Sequence, residues 1–260
     1  MPAPFIDYTI VDRVLVRDDE RDNGNGPLIR LADAFQCGDR VPLPPGAPTR
    51  TAVGLPETGT VYCAFGNWLK IDSEVFDTWL EILGAVPDSV LWLSGDNKPG
   101  SGDTLRQRAA AAGIDPRRLV FAARLDDKAG HLYRHRAADL FLDTFTFSAA
   151  TTTTDALWAG LPVLTRPGPT GQSRLSESLL RATGFTETIV TDRAAYVDMA
   201  VRLGRDPAAR AALKKKLEAL LPTAPLYDAS RFVRQFRSIY ETVWARHVAG
   251  NPPAHVDIAP

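Results

Sequence analysis

The chain has 260 residues, 45% of them hydrophobic and 23% charged, enough apolar material for a substantial core in one or two domains. A formal net charge of −1 leaves no basic excess to neutralise a phosphate backbone, so a nucleic-acid partner is not expected. Cys37 and Cys63 are the only cysteines, too few for a disulfide framework or a metal quartet, and a cytoplasmic setting is the default. The start, MPAPFIDYTI, lacks a basic segment followed by a long apolar run, and no stretch of about 18 apolar residues occurs, so neither a signal peptide nor a membrane span is expected.

In chain order, 9–16 (TIVDRVLV) is a short strand, followed by a polar, glycine-rich loop over 18–27. The stretch 42–48 (PLPPGAP) is a stiff connector and a candidate boundary. Beyond it the pattern turns regular. Strands are expected at 60–65, 89–94, 118–122, 139–143, 162–165 and 188–190, with helices at 73–85, 104–112, 128–137, 155–159, 175–183, 194–203, 207–220 and 229–245. Asp72 or Ser73 caps the first helix, Asp206 precedes Pro207 at the first position of another, and glycines 113 and 184 close two more. The end, NPPAHVDIAP, reads as a loose tail. Strand and helix alternate at least five times, which predicts an α/β fold with a doubly wound parallel sheet.

Ligands of such sheets sit at the carboxyl ends of the strands, so the loops 66–72, 94–103, 124–128, 144–154 and 166–174 matter most. No GxGxxG, P-loop or GxSxG is present; 95–103 (GDNKPGSGD) has glycines at the wrong spacing and reads as a turn. The loop GNWLKID brings Asn67 and Lys70 to a strand end just before a helix start, where a cation beside free amides suits a phosphate. An ordinary surface lysine is the alternative. In LDDKAGHLYRHR, Lys128, His131 and Arg134 share a helix face that suits a base, or is simply solvated. His131 and His135 are four apart, but no glutamate lies between them and no third ligand is evident, so no metal is expected. Thr152 and Asp155 have a capping-box spacing, which puts a helix start inside the run TTTT; its hydroxyls either hold a diphosphate or only cap and pack.

The segments VYCAFGNWLKID, VPDSVLWLSG, LVFAARLDDKAGHLYRHRAADLFLDT and TTTTDALWAGLPVLTRPG together resemble the C-terminal catalytic lobe of the O-linked N-acetylglucosamine transferase family, the Spindly-like glycosyltransferases. The likeness covers about residues 50–248, and the leading IDYTIVDRVLV with LIRLADAFQCGDR resembles the tail of that family's first lobe. The resemblance implies a two-lobe (GT-B type) fold of Rossmann-like lobes: 1–52 would be the end of the first lobe and a linker, and 53–260 the UDP-binding second lobe with its C-terminal helix. It implies transfer of N-acetylglucosamine from UDP-N-acetylglucosamine to serine or threonine hydroxyls of a protein acceptor, without metal or other cofactor. Lys70 would be catalytic and contact the diphosphate, with Asn67 nearby; Lys128, His131 and Arg134 would surround the uracil; Thr151 and Thr152 would hold the phosphates and Asp155 the ribose.

Two positions depart from the family's pattern: Ala150 stands where a histidine is common, and Asn67 where glutamine is. Most of the first lobe and the repeat domain are absent from the sequence, so a partner lobe or repeat domain is implied, and the alternative to an enzyme is a non-catalytic nucleotide-sugar-binding module or a truncated remnant. The last helix is expected to pack partly on the strand segment 9–16, because two-lobe transferases return that helix to the first lobe.

Overall fold

The computed structural model describes residues 5–22, 24, 26–95 and 100–259. Two parallel sheets organise it. The larger contains β3 (Thr60–Ala64), β4 (Ser89–Ser94), β5 (Leu119–Ala122), β6 (Leu140–Leu142) and β7 (Val163–Leu164) in the order β5-β4-β3-β6-β7. The smaller contains β1 (Thr9–Asp12), β2 (Leu28–Leu31) and β8 (Val256–Asp257) in the order β1-β2-β8.

The larger sheet is covered on both faces, and its strand residues alternate between two cores. Val61, Cys63, Trp92, Phe141 and Val163 face α4 (Thr151–Trp158), α5 (Leu175–Thr183) and α7 (Pro207–Leu220). Tyr62, Ala64, Leu91, Leu93, Leu140, Leu142 and Leu164 face α1 (Ser73–Ala85), α2 (Ser101–Ala111) and α6 (Arg193–Arg205). Double coverage explains why SVLWLS reads as a nearly continuous apolar run. Caps fix the helix starts: Asp72 accepts from Val75 N at 2.9 Å, and Asp206 from Ala209 N at 2.9 Å with Pro207 at the first position. Gly184, at φ +78°, ends α5 in a conformation that side chains resist.

Three expectations need correction. The terminal segment is not a loose tail. Val256 and Asp257 pair with Ile29 and Arg30, Ile258 is buried, and the Asp257 carboxylate takes the Arg30 guanidinium in two bonds of 2.7 and 3.0 Å. Arg30 is 1% exposed, so leaving it without a carboxylate would strand a buried charge. The strand at 188–190 reduces to one bridge between Thr165 and Ile189. The capping box is absent as well: α4 does start inside the threonine run, at Thr151, but its N-cap is Ala150, two residues before Thr152, which already lies inside the helix. The turn at 95–103 falls partly outside the described residues.

The last helix, α8 (Ala229–Val248), lies on the small sheet, where Phe232, Phe236, Ile239 and Val243 meet Tyr8, Ile29, Leu31, Val256 and Ile258. Its main partners are therefore β2 and β8 rather than the 9–16 segment. Asp12, fully buried at the end of β1, joins the two sheets: it accepts Val14 N, Leu15 N and Phe35 N at 2.8 Å each and the Ser178 hydroxyl of α5 at 2.5 Å.

Candidate functional site

Strand order locates the site. From β3 the chain winds outward through β4 to β5, then returns to the other side of β3 with β6 and β7. The β3/β6 boundary is thus the switch point, where two loops leave in opposite directions at the carboxyl end of the sheet, the place where ligands of such sheets bind.

From β3, residues Trp68–Lys70 form a 3-10 turn. Asn67 spends its side-chain oxygen on Leu69 N at 3.0 Å, and Trp68 anchors the turn by donating to the Ser94 hydroxyl at 2.9 Å. The turn aims Lys70 across the switch point. Its Nζ donates to the Ser148 carbonyl at 2.9 Å and stands 4.1 Å from the centre of the Phe147 ring. Burial pulls the Lys70 pKa down, opposed by the negative Asp143.

From β6, the loop Thr144 to Ala150 leads into α4. Asp143, 1% exposed, holds both ends of it: the carboxylate accepts Thr144 N at 2.9 Å and Ala149 N at 2.7 Å, and the Thr165 hydroxyl at 2.7 Å. Burial raises the Asp143 pKa to about 6.

The four threonines divide. Thr153 is fully buried and bonds Ser176 Oγ at 2.7 Å; Thr154 accepts from Gln36 Nε2 at 2.7 Å. Both also reach back to the carbonyls of Ala149 and Ala150. Thr151 is exposed and Thr152 half-buried, and among the described residues neither hydroxyl has a protein partner. No side chain caps α4, and its first backbone bond runs from Thr154 N to Ala150 O at 3.1 Å, so the amides before it stay open.

On the neighbouring helix α3 (Lys128–Arg134), capped by Asp127, Lys128 lies 3.7 Å from Asp155 of α4 and 3.9 Å from Asp39. Burial raises the Asp155 pKa and Lys128 lowers it. His131 and Arg134 do share a face, but not as two free side chains. Arg134 is buried, packs its guanidinium 4.6 Å from the Phe65 ring centre, and donates to Ala123 O at 2.5 Å and to His131 Nδ1 at 2.6 Å. An arginine only donates, so His131 carries its proton on Nε2. Burial first, then Arg134 and Lys128, lower the His131 pKa to about 4. His135, fully buried, bonds its Nδ1 to the His131 carbonyl at 2.8 Å.

Lys70 and the loop that starts α4 therefore meet at the switch point, while Lys128 and Asp155 bridge α3 to α4 beside it. Arg134 lies beneath His131 instead of facing outward, and the Asn67 side chain caps its own turn. Sequence reasoning passed over Asp143, Phe147 and Asp39. Only the aspartate closing DLFLD at a strand end offered a signal. Among the described residues, no group of three or more histidine, cysteine, aspartate or glutamate side chains could hold a metal ion, and no helix is long and apolar enough to cross a membrane.

The sequence profile of glycosyl transferase family 41 matches residues 3–236. The chain belongs to this family. It is 33% identical over 264 residues to the probable UDP-N-acetylglucosamine–peptide N-acetylglucosaminyltransferase SEC of Arabidopsis thaliana, covering 98% of this chain and 27% of that protein. A Caenorhabditis elegans UDP-N-acetylglucosamine–peptide N-acetylglucosaminyltransferase is 32% identical over 219 residues, covering 84% and 19%. The family 41 chain thus spans 27% and 19% of the lengths of these two curated relatives. Among solved structures, a mutant O-GlcNAc transferase of Thermobaculum terrenum superposes with a TM-score of 0.82 at 28% identity, over 92% of this chain and 45% of that one. The fold is that of a GT-B glycosyltransferase, α/β and Rossmann-like.

Proposed function

We propose that this chain carries the donor-binding part of a protein O-linked N-acetylglucosamine transferase, with residues 53–260 as the UDP-binding lobe and 1–52 as the end of the first lobe. The observation that carries the reading is the switch point. There, among the described residues, the Lys70 ammonium has only a neutral carbonyl and a ring as partners, beside an uncapped helix start with two unengaged hydroxyls. Open amides, a cation and small hydroxyls suit a diphosphate that must approach the backbone closely. The names of the curated relatives, which specify UDP-N-acetylglucosamine and a peptide acceptor, support the same donor and acceptor here.

In the proposed reaction, a serine or threonine hydroxyl oxygen of a protein bonds to the anomeric carbon while the bond from that carbon to the β-phosphate oxygen breaks. The hydroxyl proton leaves to a base, and UDP departs with the electron pair. Negative charge grows on the diphosphate, where Lys70, the Thr151 and Thr152 hydroxyls and the start of α4 stabilise it. His131, with its Nε2–H, would face the uracil with Arg134 fixing it from below; Lys128 and Asp155 would lie toward the ribose, and Asn67 would shape the Lys70 turn. No metal or other cofactor enters this scheme, because the cationic groups named take over the charge of the leaving group.

The first lobe would complete the cleft. Tyr240, Trp244 and Val248 of α8, each at least 66% exposed, support a further polypeptide on that side. A cytoplasmic setting remains part of the proposal. Titration of the 260-residue chain with UDP tests the reading: binding is expected, and no binding at millimolar UDP would refute it. Transfer from labelled UDP-N-acetylglucosamine by this chain alone should be slight, since half the cleft is open to water. Binding without transfer even beside a supplied first lobe would favour the non-catalytic module.

A further inference from the structure

We infer that Asp143 is a positioning residue for the diphosphate cradle, acting through the Thr144–Ala150 loop. The inference rests on the reading that UDP binds at the switch point and adds a residue that touches no ligand.

The loop is clamped at both ends by one carboxylate, on Thr144 N and Ala149 N. A third bond, from Thr165 at the end of β7, fixes the rotamer of that carboxylate. Between the clamped ends, Thr144 Oγ1 donates to the Phe147 carbonyl at 2.7 Å, and Ser148 bonds Gln172 O through both its amide (2.9 Å) and its hydroxyl (3.0 Å). What the loop presents is the Phe147 ring and the Ser148 carbonyl, the two groups that hold Lys70. Where the loop ends, α4 begins. One buried carboxylate thus sets the separation between the Lys70 ammonium and the open amides of α4, the distance a diphosphate has to span.

Its partners argue against a role in stability alone. Among the described residues, all the groups bonding it are neutral and no arginine or lysine pairs with it directly; the charged or titratable groups there that sense it are Lys70, across the loop, and Tyr196, whose hydroxyl bonds the Asp143 main-chain carbonyl at 2.9 Å. Its raised pKa means the fold tolerates the ionised form at a cost that persists above pH 6. Asparagine keeps the clamp without the charge, its oxygen accepting the two amides and its nitrogen donating to the Thr165 hydroxyl, whereas leucine, of similar size, offers no acceptor and releases both ends of the loop.

The test compares Asp143→Leu with Asp143→Asn in the full chain, by UDP and uridine titrations and thermal melting at pH 8. Asp143→Leu is expected to bind UDP at least tenfold more weakly with uridine binding unchanged, and Asp143→Asn, which keeps the clamp, to bind UDP nearly as the wild type does. Wild-type UDP affinity in Asp143→Leu, equal losses for UDP and uridine, or a loss in Asp143→Asn as large as in Asp143→Leu overturns the inference while leaving the UDP reading intact. Failure of the wild type itself to bind UDP sinks the UDP reading first. Should Asp143→Leu not fold, Thr144→Val decides: it removes only the bond to the Phe147 carbonyl, and UDP binding should fall severalfold with uridine unaffected; no change in UDP binding overturns the inference.

Discussion

Asp139 and Asp143 flank the same three-residue strand, β6, and their surroundings are opposite. At the amino end, Asp139 accepts Val61 N at 2.8 Å and Arg50 at 2.7 Å, with Arg210 at 3.6 Å and Lys214 at 4.0 Å. Cations crowd that carboxylate and the charges cancel. At the carboxyl end, Asp143 has only neutral donors among the described residues, and the nearby cation, Lys70, is held by a carbonyl and a phenyl ring. A protein selected for stability alone would pair the two. Charge matched within the chain builds structure; charge left open at a strand's carboxyl end is available to something that arrives.

The contrast makes definite predictions. The largest effect should come from Lys70→Met, which keeps the stem and removes the open cation. Losing one charge-assisted contact worth about 1.5–3 kcal/mol should weaken UDP binding on the order of ten- to over a hundredfold. Calorimetric titration reads it, and an unchanged affinity would erase the distinction between the two ends. Next comes Thr151→Val with Thr152→Val, which preserves shape and removes both unengaged hydroxyls. UDP binding should drop roughly tenfold or somewhat more, uridine binding little. If this double variant binds UDP normally and melts earlier, the threonines serve only the helix. The smallest effect on binding belongs to Asp139→Asn. It should cost stability, roughly 1–3 kcal/mol by thermal melting, because Arg50, Arg210 and Lys214 lose their shared counter-charge, and leave UDP affinity where it was.

Much of the fold was legible because its signals are local. Helices 73–85, 175–183 and 207–220 match the structure residue for residue, each bounded by a cap, a glycine or a proline that acts within one turn. The strand SVLWLS was equally plain because burial on both faces makes it apolar throughout. What escaped depends on distant partners. Strand β8 is two residues long and follows two prolines; its register comes from Arg30, 227 residues earlier. The threonine run suggested a cap because spacing says nothing of Ser176 or Gln36, which engage its second half. Helical spacing placed His131 beside Arg134 correctly but could not show Phe65 and Ala123 drawing the arginine inward. Asp143 looked like the end of a strand because its clamp exists only once the following loop has folded back.

The small sheet takes its three strands from residues 9–12, 28–31 and 256–257. During synthesis the chain emerges in order, so β1 and β2 can pair early, whereas β8 joins only when nearly everything else has been made. Until then Arg30 has only the exposed Asp18 as a counter-charge and lacks the two-bond pairing with Asp257, and one side of β2 is an open edge. The five-stranded sheet has its last strand at β7 and its last covering helix at α7, both well before β8. A nascent chain should therefore reach a half-built stage with its larger sheet covered and its first sheet unclosed, a stage at which a chaperone or a neighbouring strand could take the place that β8 later fills.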